Sequence, residues 1–466
     1  MTDAVAAYHE LLAGSAGEQL AADTQGALDE QLARRGLLFG ERKLCTVLRP
    51  RLYTPALHRL LATRVRPLMR AFGQAHHAAM ADRAVRDQFR LADWEESLLD
   101  IQPGFDAPSP TSRLDLFVID PAPEGAGRHR GDVTDHGSMA LTEYNGEVPA
   151  GAAYADALSA AFLDLPAMRE FARRWSISPI LSHHGVIHVL LDAWRQFSGG
   201  RSKPRIAIID WPDVPTYSEF VLYRDHFTAL GIESVIADPR EAEYRDGQLW
   251  CGGVPVDLVY KRVLLAELVQ EMGLDNPVLN AVRDRAVCMV NAPSSKILHK
   301  KASLAVLSDE RNAHLYDPGA AAAVRAFVPW TRVVEERRTT HDGADVDLVE
   351  HVRRHRERFV LKPNDDYGGA GIVLGWTVDD AAWEQALAKA LAEPYIVQER
   401  VPIPMEPYPS YVDGAVHVID RMIDTAPFVA HGDYADGLLT RLSTAALLNV
   451  TAGGGSQVPA FVVEPR

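Results

Sequence analysis

From Arg358 to Gly375 the chain reads Arg-Phe-Val-Leu-Lys-Pro-Asn-Asp-Asp-Tyr-Gly-Gly-Ala-Gly-Ile-Val-Leu-Gly. Two apolar runs, Phe359 to Leu361 and Ile372 to Leu374, flank a polar turn rich in glycine, and the first run ends in Lys362. The order predicts strand, lysine, loop, strand. Glycines allow the backbone to approach an anion closely, and successive N–H groups can form a nest for one. Two familiar phosphate loops are excluded. No G-x-x-x-x-G-K-[ST] occurs in the chain, and these glycines lead into an apolar β-like run, not into a helix as a dinucleotide fingerprint requires. Taken alone, the segment fits a hairpin with a Gly-rich turn as well as it fits a phosphate grip.

At 466 residues the chain is too long for one compact core, so two to four domains are expected. Lys and Arg number 48 against 63 Asp and Glu, a formal net charge of −15. An acidic chain without a long basic run is a poor nucleic-acid binder. The first residues, Met-Thr-Asp-Ala-Val, lack a signal-peptide pattern. No apolar run of about 18 residues suggests a membrane span. Cys45, Cys251 and Cys288 are too far apart for a disulfide framework or a zinc spacing. A cytoplasmic protein with reduced thiols is expected.

Residues 1–104 read as a helical region, with Leu61, Val65, Leu68 and Phe72 on one face. The arginines here (Arg49, Arg51, Arg59, Arg64, Arg66, Arg70) are expected on a solvated face. A Pro- and Ser-rich linker at 102–112 precedes a strand from Leu114 to Ile119. A polar excursion follows from Pro121 to Gly137, then a strand from Met139 to Tyr144. After Ser198 to Pro204 come an apolar strand (Arg205 to Asp210), a helix (Tyr217 to Leu230) and a strand (Glu233 to Ala237). Such a β-α-β run implies a parallel, Rossmann-like sheet. A helix is expected from Lys300 to Leu307. The resulting division is 1–104, 105–200, 201–292 and 293–466.

Four constellations bear on chemistry. Lys362 and its glycines are the first. In the second, residues two apart on a strand share a face, so Arg113 pairs with Asp115, and Glu143 with Asn145. If the strands are neighbours, two carboxylates, an amide oxygen and a guanidinium converge, a donor set suited to Mg²⁺ with an Arg to counter phosphoryl charge. A surface Arg–Asp pair and an unrelated turn Asn is the alternative. Third, Lys300 and Lys301 open an apolar-periodic helix, from which either could reach a phosphate or simply face water. Fourth, the strand ending at Gln398 and Glu399 offers groups for an adenine edge and a ribose hydroxyl.

Together these pieces resemble the circularly permuted ATP-grasp family (type 2 branch), related to the synthetase domain of glutathionylspermidine synthetases. There too an Arg-x-Asp strand precedes a Glu-Tyr-Asn strand, a Rossmann-like segment and then the nucleotide lysines. The resemblance covers residues 110–456. It implies an α/β (α+β) fold: a permuted ATP-grasp with a Rossmann-like pre-ATP-grasp domain behind an N-terminal helical region. Asp115, Glu143 and Asn145 look like Mg²⁺ ligands. Arg113 looks like the residue that steadies an acyl phosphate. Lys301 (with Lys300 as the close second), Lys362, Gly368, Gly369, Gly371, Gln398 and Glu399 look like the ATP contacts, the glycine loop closing as a lid. Arg421, Arg441 and Ser456 lie where an acyl substrate could dock, or form an ion pair and a turn. The implied activity is ATP-dependent joining of a small-molecule or peptide carboxylate to an amine, with ATP and Mg²⁺ as cofactors. A phosphotransferase or a silent nucleotide-binding regulator are the alternatives, and a homodimer is left open. The long 121–137 excursion and the absence of an amidase domain depart from the synthetases named.

His183, His184 and His188 occupy a helix-like segment, where an i,i+4 pair can bind zinc. No Glu stands between His184 and His188, so the protease motif is missing, and a structural or pocket role is favoured.

Overall fold

The structure, a computed structural model, describes residues 2–119, 138–200, 202–365, 369–444 and 455–466. The 121–137 excursion and Gly368 lie outside these residues.

Thr111–Ile119 alternates as a half-polar strand should, with Leu114, Leu116 and Val118 buried on one face. It pairs antiparallel with Ser138–Asn145 on one side and with Ala426–Ala430 on the other. Beyond lie Tyr434–Ser443, Ala415–Ile423 and Met405–Val412, and Ser456–Val458 adds to Tyr434–Ser443. Residues far apart in sequence therefore form one seven-stranded sheet. The strand begins three residues before the expected Leu114, because Asn291 bonds the backbone N–H and C=O of Thr111 and extends the chain there.

A second, four-stranded sheet runs Cys288–Val290, Leu258–Lys261, Ile206–Ile209, Ser234–Ala237, all parallel. Ile206 and Ile208 face one apolar cluster, Ala207 and Ile209 another. Burial on both faces explains why this strand is continuously apolar. Tyr217–Ala229 is the crossover helix. A third sheet orders Thr331–Val333, Tyr395–Glu399, Phe359–Pro363 and Val373–Leu374, antiparallel throughout. It carries Lys362 and Gln398.

The parallel sheet lies within 201–292 and the Lys362 sheet within 293–466, whereas the seven-stranded sheet and a three-stranded one join residues from across the expected boundaries. Residues 1–104 include long helices at Gly14–Arg35 and Pro55–Ala81, yet they also supply the strand Arg51–Tyr53. That strand lies parallel to Ala460–Pro465, which pairs on its other side with Trp175–Pro179. Leu61, Val65, Leu68 and Phe72 pack in the same core as Leu114, Leu116, Leu304 and Ala460. The N-terminal part is thus an integral wall of the molecule. Arg49 and Arg51 are buried, contrary to the solvated face expected for them. Both bind Glu406, and Arg49 stacks on Tyr408; pairing with a carboxylate is what permits a guanidinium inside.

One polar feature spans these parts. Glu95 binds Lys300 at 2.6 Å; Lys300 binds Asp365 at 3.0 Å; Asp365 binds Lys296 at 2.8 Å; Lys296 binds Glu147 at 3.0 Å; and Glu147 binds Lys261 at 3.2 Å. The chain alternates sign, three acids and three lysines, and all but Asp365 are almost fully buried. Glu147 also accepts the Leu265 N–H at 2.6 Å. Burial pushes its carboxyl up, but Lys261, Lys296 and His299 outweigh burial and hold it well below the usual range. Removing one member strands its neighbours' charge in a dry interior. Glu147→Ala should therefore cost about 3–5 kcal/mol, read as a lower urea midpoint at unchanged slope. An unmoved midpoint would show that this chain is not holding the parts together.

Candidate active site

Register brings the two expected pairs together. Arg113 lies opposite Asn145, and Asp115 lies opposite Glu143. Directly opposed residues project on the same face of a sheet, so all four share one surface. Arg113 donates from Nε to Asp115 Oδ1 at 2.9 Å, from Nη2 to Oδ2 at 3.3 Å, and from Nη1 to the Ala150 carbonyl at 2.6 Å. Arg441 reaches the same carboxylate, Nη2 to Oδ2 at 2.7 Å, and donates from Nε to Asp424 Oδ2 at 2.6 Å. Two guanidiniums and two carboxylates are thereby locked side by side. Burial pushes the Asp115 carboxyl up, but Arg113 and Arg441 outweigh it and hold it well below the carboxylate range. Asp424 is the reverse case: burial outweighs Arg441 and raises it.

The register slips by one residue after Glu143, because Leu116 pairs with Leu141 and Thr142 has no partner opposite. Such a bulge re-aims the backbone. The Thr142 carbonyl accepts a hydrogen bond from Lys362 Nζ at 3.0 Å, and Lys362 also donates to Gln398 Oε1 at 2.7 Å. Burial pushes the Lys362 ammonium down to about 8; Glu143 opposes the shift and Lys301 adds to it. Lys301 sits 2.9 Å from Glu143 Oε1. The Glu143 carboxyl, raised by burial, is brought below its ordinary value chiefly by Lys301.

The expected helix from Lys300 to Leu307 begins two residues later, as Ala302–Ser308, and a separate short helix, Lys296–His299, precedes it. Lys300 between them is extended, φ −56° and ψ 134°. The break sends adjacent lysines apart: Lys301 to Glu143, Lys300 to Glu95 and Asp365. Asn364, two residues past Lys362, fixes the break. Its carbonyl accepts the Lys301 N–H at 2.9 Å, its Oδ1 accepts the Ala302 N–H at 2.8 Å, and its Nδ2 donates to the Phe89 carbonyl at 2.9 Å. Gly369 and Gly371 have φ of +80° and +69°, a region that favours glycine. A Cβ on Gly371 would also come within 3.1 Å of Pro363.

Not every candidate joins this group. Gln398 does, but Glu399 is the next residue on the strand and faces the other way, where Arg358 binds it at 2.8 Å. Arg421 and Ser456 lie on the face opposite Arg441, by the register Ile423–Leu442–Ser456. Ser456 Oγ instead accepts the Thr46 N–H at 3.0 Å. Asp424, Asn364 and Thr142 were missed. The first two are polar residues at the ends of apolar strands, a pattern shared with ordinary turns; the bulge at Thr142 left no mark on the local pattern.

The donor set fits a hard dication. Glu143 is partly exposed and holds the Lys301 ammonium, a cation already seated on that carboxylate. The Asn145 amide nitrogen is buried with no hydrogen-bond partner; as a donor it suits a phosphate oxygen, and only the amide oxygen could serve a metal. Asp115 contributes a carboxylate that both arginines keep ionised.

No family model matches the chain. Two curated proteins share part of its sequence. A "Putative glutamate--cysteine ligase 2-2" of Frankia casuarinae is 27% identical over 236 residues, 48% of this chain and 25% of that protein. A "Putative glutamate--cysteine ligase 2-3" of Frankia alni is 28% identical over 214 residues, 43% of this chain and 23% of that protein. The match thus spans about a quarter of the length of these relatives. Among solved structures, the apo form of a glutathione synthetase-like effector from Globodera pallida aligns over 95% of this chain and 97% of its own, with a TM-score of 0.59 at 13% identity. The chain therefore shares the mixed α/β fold of that protein.

Proposed function

We propose that the protein is an ATP-dependent carboxylate–amine ligase of the circularly permuted ATP-grasp kind. It forms an amide through an acyl phosphate and releases ADP and phosphate. One observation carries this reading: Lys301 and Lys362, from segments downstream, meet the strand of Glu143 and Asn145, with Arg113 and Asp115 directly opposite. The names of the partial relatives agree with ligase chemistry. The four-stranded parallel sheet would be the pre-ATP-grasp domain.

Lys301 and Lys362 hold the ATP phosphates, and Gln398 keeps Lys362 in place. Glu143, Asn145 and Asp115 would hold Mg²⁺, which when bound neutralises charge on the phosphates. Phosphates would draw Lys301 from Glu143, leaving that carboxylate among the groups that would hold the metal. Arg113 and Arg441, both fixed on Asp115, orient the acid substrate and counter negative charge as the phosphoryl group moves to it. The amine then attacks the acyl carbon, and phosphate leaves.

Incubation with Mg·ATP and paired acids and amines, starting with glutamate and cysteine, should release ADP and phosphate only when both partners are present. Formation of AMP and pyrophosphate would exclude an acyl phosphate. ADP release without an amine, with a stable phosphoryl product, would make the protein a phosphotransferase.

Lys362→Met should weaken ATP binding about 100-fold, the loss of a charge-assisted contact, measured by calorimetry; unchanged affinity would remove Lys362 from the site. The affinity should also depend on pH. Free Lys362 loses its proton near pH 8, and binding phosphate must restore it. The dissociation constant should therefore be level below pH 8 and rise about tenfold per pH unit above it. Lys362→Arg should flatten that rise, because guanidinium stays charged.

A further inference from the structure

We propose that His183, His184 and His226 form a binding site for a transition-metal dication of the zinc type, distinct from the Mg²⁺ site above. His183 and His184 open the helix His183–Ser198, and His226 lies in the crossover helix Tyr217–Ala229. One ligand nitrogen from each ring lies within 4.8 Å of the others. His183 Nε2 and His226 Nδ1 are 3.2 Å apart. Two nitrogens on a tetrahedral zinc stand about 3.3 Å apart, given Zn–N bonds of 2.0–2.1 Å, so that pair already has the spacing of two ligands.

The surroundings supply the outer carboxylate that metal-binding histidines need. His183 Nδ1 binds Asp156 Oδ2. The contact assigns the proton to Nδ1 and leaves the Nε2 lone pair directed at His226. Asp156 is held in turn by the backbone N–H groups of Ser182, at 2.7 Å, and His183, at 3.2 Å. A carboxylate on these N–H groups also offsets the positive end of the helix dipole, which would otherwise oppose a cation there. His183 and His226 are partly buried and His184 is exposed, so the site is anchored on one side and open on the other for a water as fourth ligand.

This site is not the i,i+4 pair His184/His188, for which the sequence favoured a structural or pocket role. His188 turns away and meets His431 Nε2 at 3.1 Å. The third ligand comes from a helix 43 residues on. With Asp156 in the helix Ala152–Leu163, the metal ties three helices together, the first of them leading directly from the Glu143 strand.

The test uses protein free of any polyhistidine tag, stripped with a chelator and titrated with Zn²⁺ against a chromophoric competitor. One high-affinity equivalent is expected per chain. His184→Ala and His226→Ala should each lose about 100-fold in affinity, Asp156→Asn about 10–100-fold, and His188→Ala none. Circular dichroism of each metal-free variant checks that it folds. Equal Zn²⁺ affinity for the wild type and the His184→Ala/His226→Ala double variant would overturn the proposal. The readout is metal binding alone, so it stands or falls apart from the ligase assay.

Discussion

The fold depends on a line of six alternating charges, from Glu95 to Lys261, that runs through its interior. Each charge alone would be prohibitive to bury, and each is tolerable only because its neighbours have the opposite sign. The line begins in the N-terminal helices. It passes through the broken helix at Lys296 to Lys300, touches the loop after Lys362 at Asp365, and crosses the turn after Asn145 at Glu147. It ends in the parallel sheet at Lys261. Its middle members, Lys300, Asp365, Lys296 and Glu147, sit on segments that carry the candidate site. An apolar core holds such parts together without fixing their exact juxtaposition, since area is non-directional. Paired charges do fix it, because distance and angle both matter.

The same logic operates in the site. Lys301 on Glu143, and Arg113 with Arg441 on Asp115 and Asp424, set three cations against three carboxylates. The proposed triphosphate with its metal would bring charges of both signs and exchange these pairs for its own. A site arranged this way is preorganised without holding unpaired charge, which is what electrostatic catalysis requires. Lys362 is the exception. Its partners are a carbonyl and an amide oxygen, both uncharged, and burial has accordingly brought its pKa down.

Much of this was legible in the sequence. The alternation of Thr111–Ile119, the apolar strand Ile206–Ile209 and the Lys362 hairpin each show their period locally. Glu143 and Asn145 could be placed on one face because strand geometry decides that over two residues. Other features depend on contacts distant in sequence. Nothing near Arg51 announces that its strand pairs with Ala460–Pro465. The split between Lys300 and Lys301 is set by Asn364, more than sixty residues later, and the grouping of His226 with His183 by the packing of two helices. Glu399 and Ser456 were placed by proximity in sequence, whereas a strand's alternation turns them away from the groups beside them. Arg49 and Arg51 read as surface residues because Glu406, which neutralises them, is over three hundred residues away.

The strand Arg51–Tyr53 lies between nothing and Ala460–Pro465, parallel to it. A ribosome adds about 5–20 residues per second. Ala460 follows Arg51 by 409 residues, which represent roughly 20–80 s of synthesis. Throughout that interval Arg51–Tyr53 has no strand to pair with, and Leu52 and Tyr53, both fully buried at the end, have no finished core to enter. The strand Arg51–Tyr53 waits for Ala460 to Val462, and during the wait its apolar side chains are the cell's to shield.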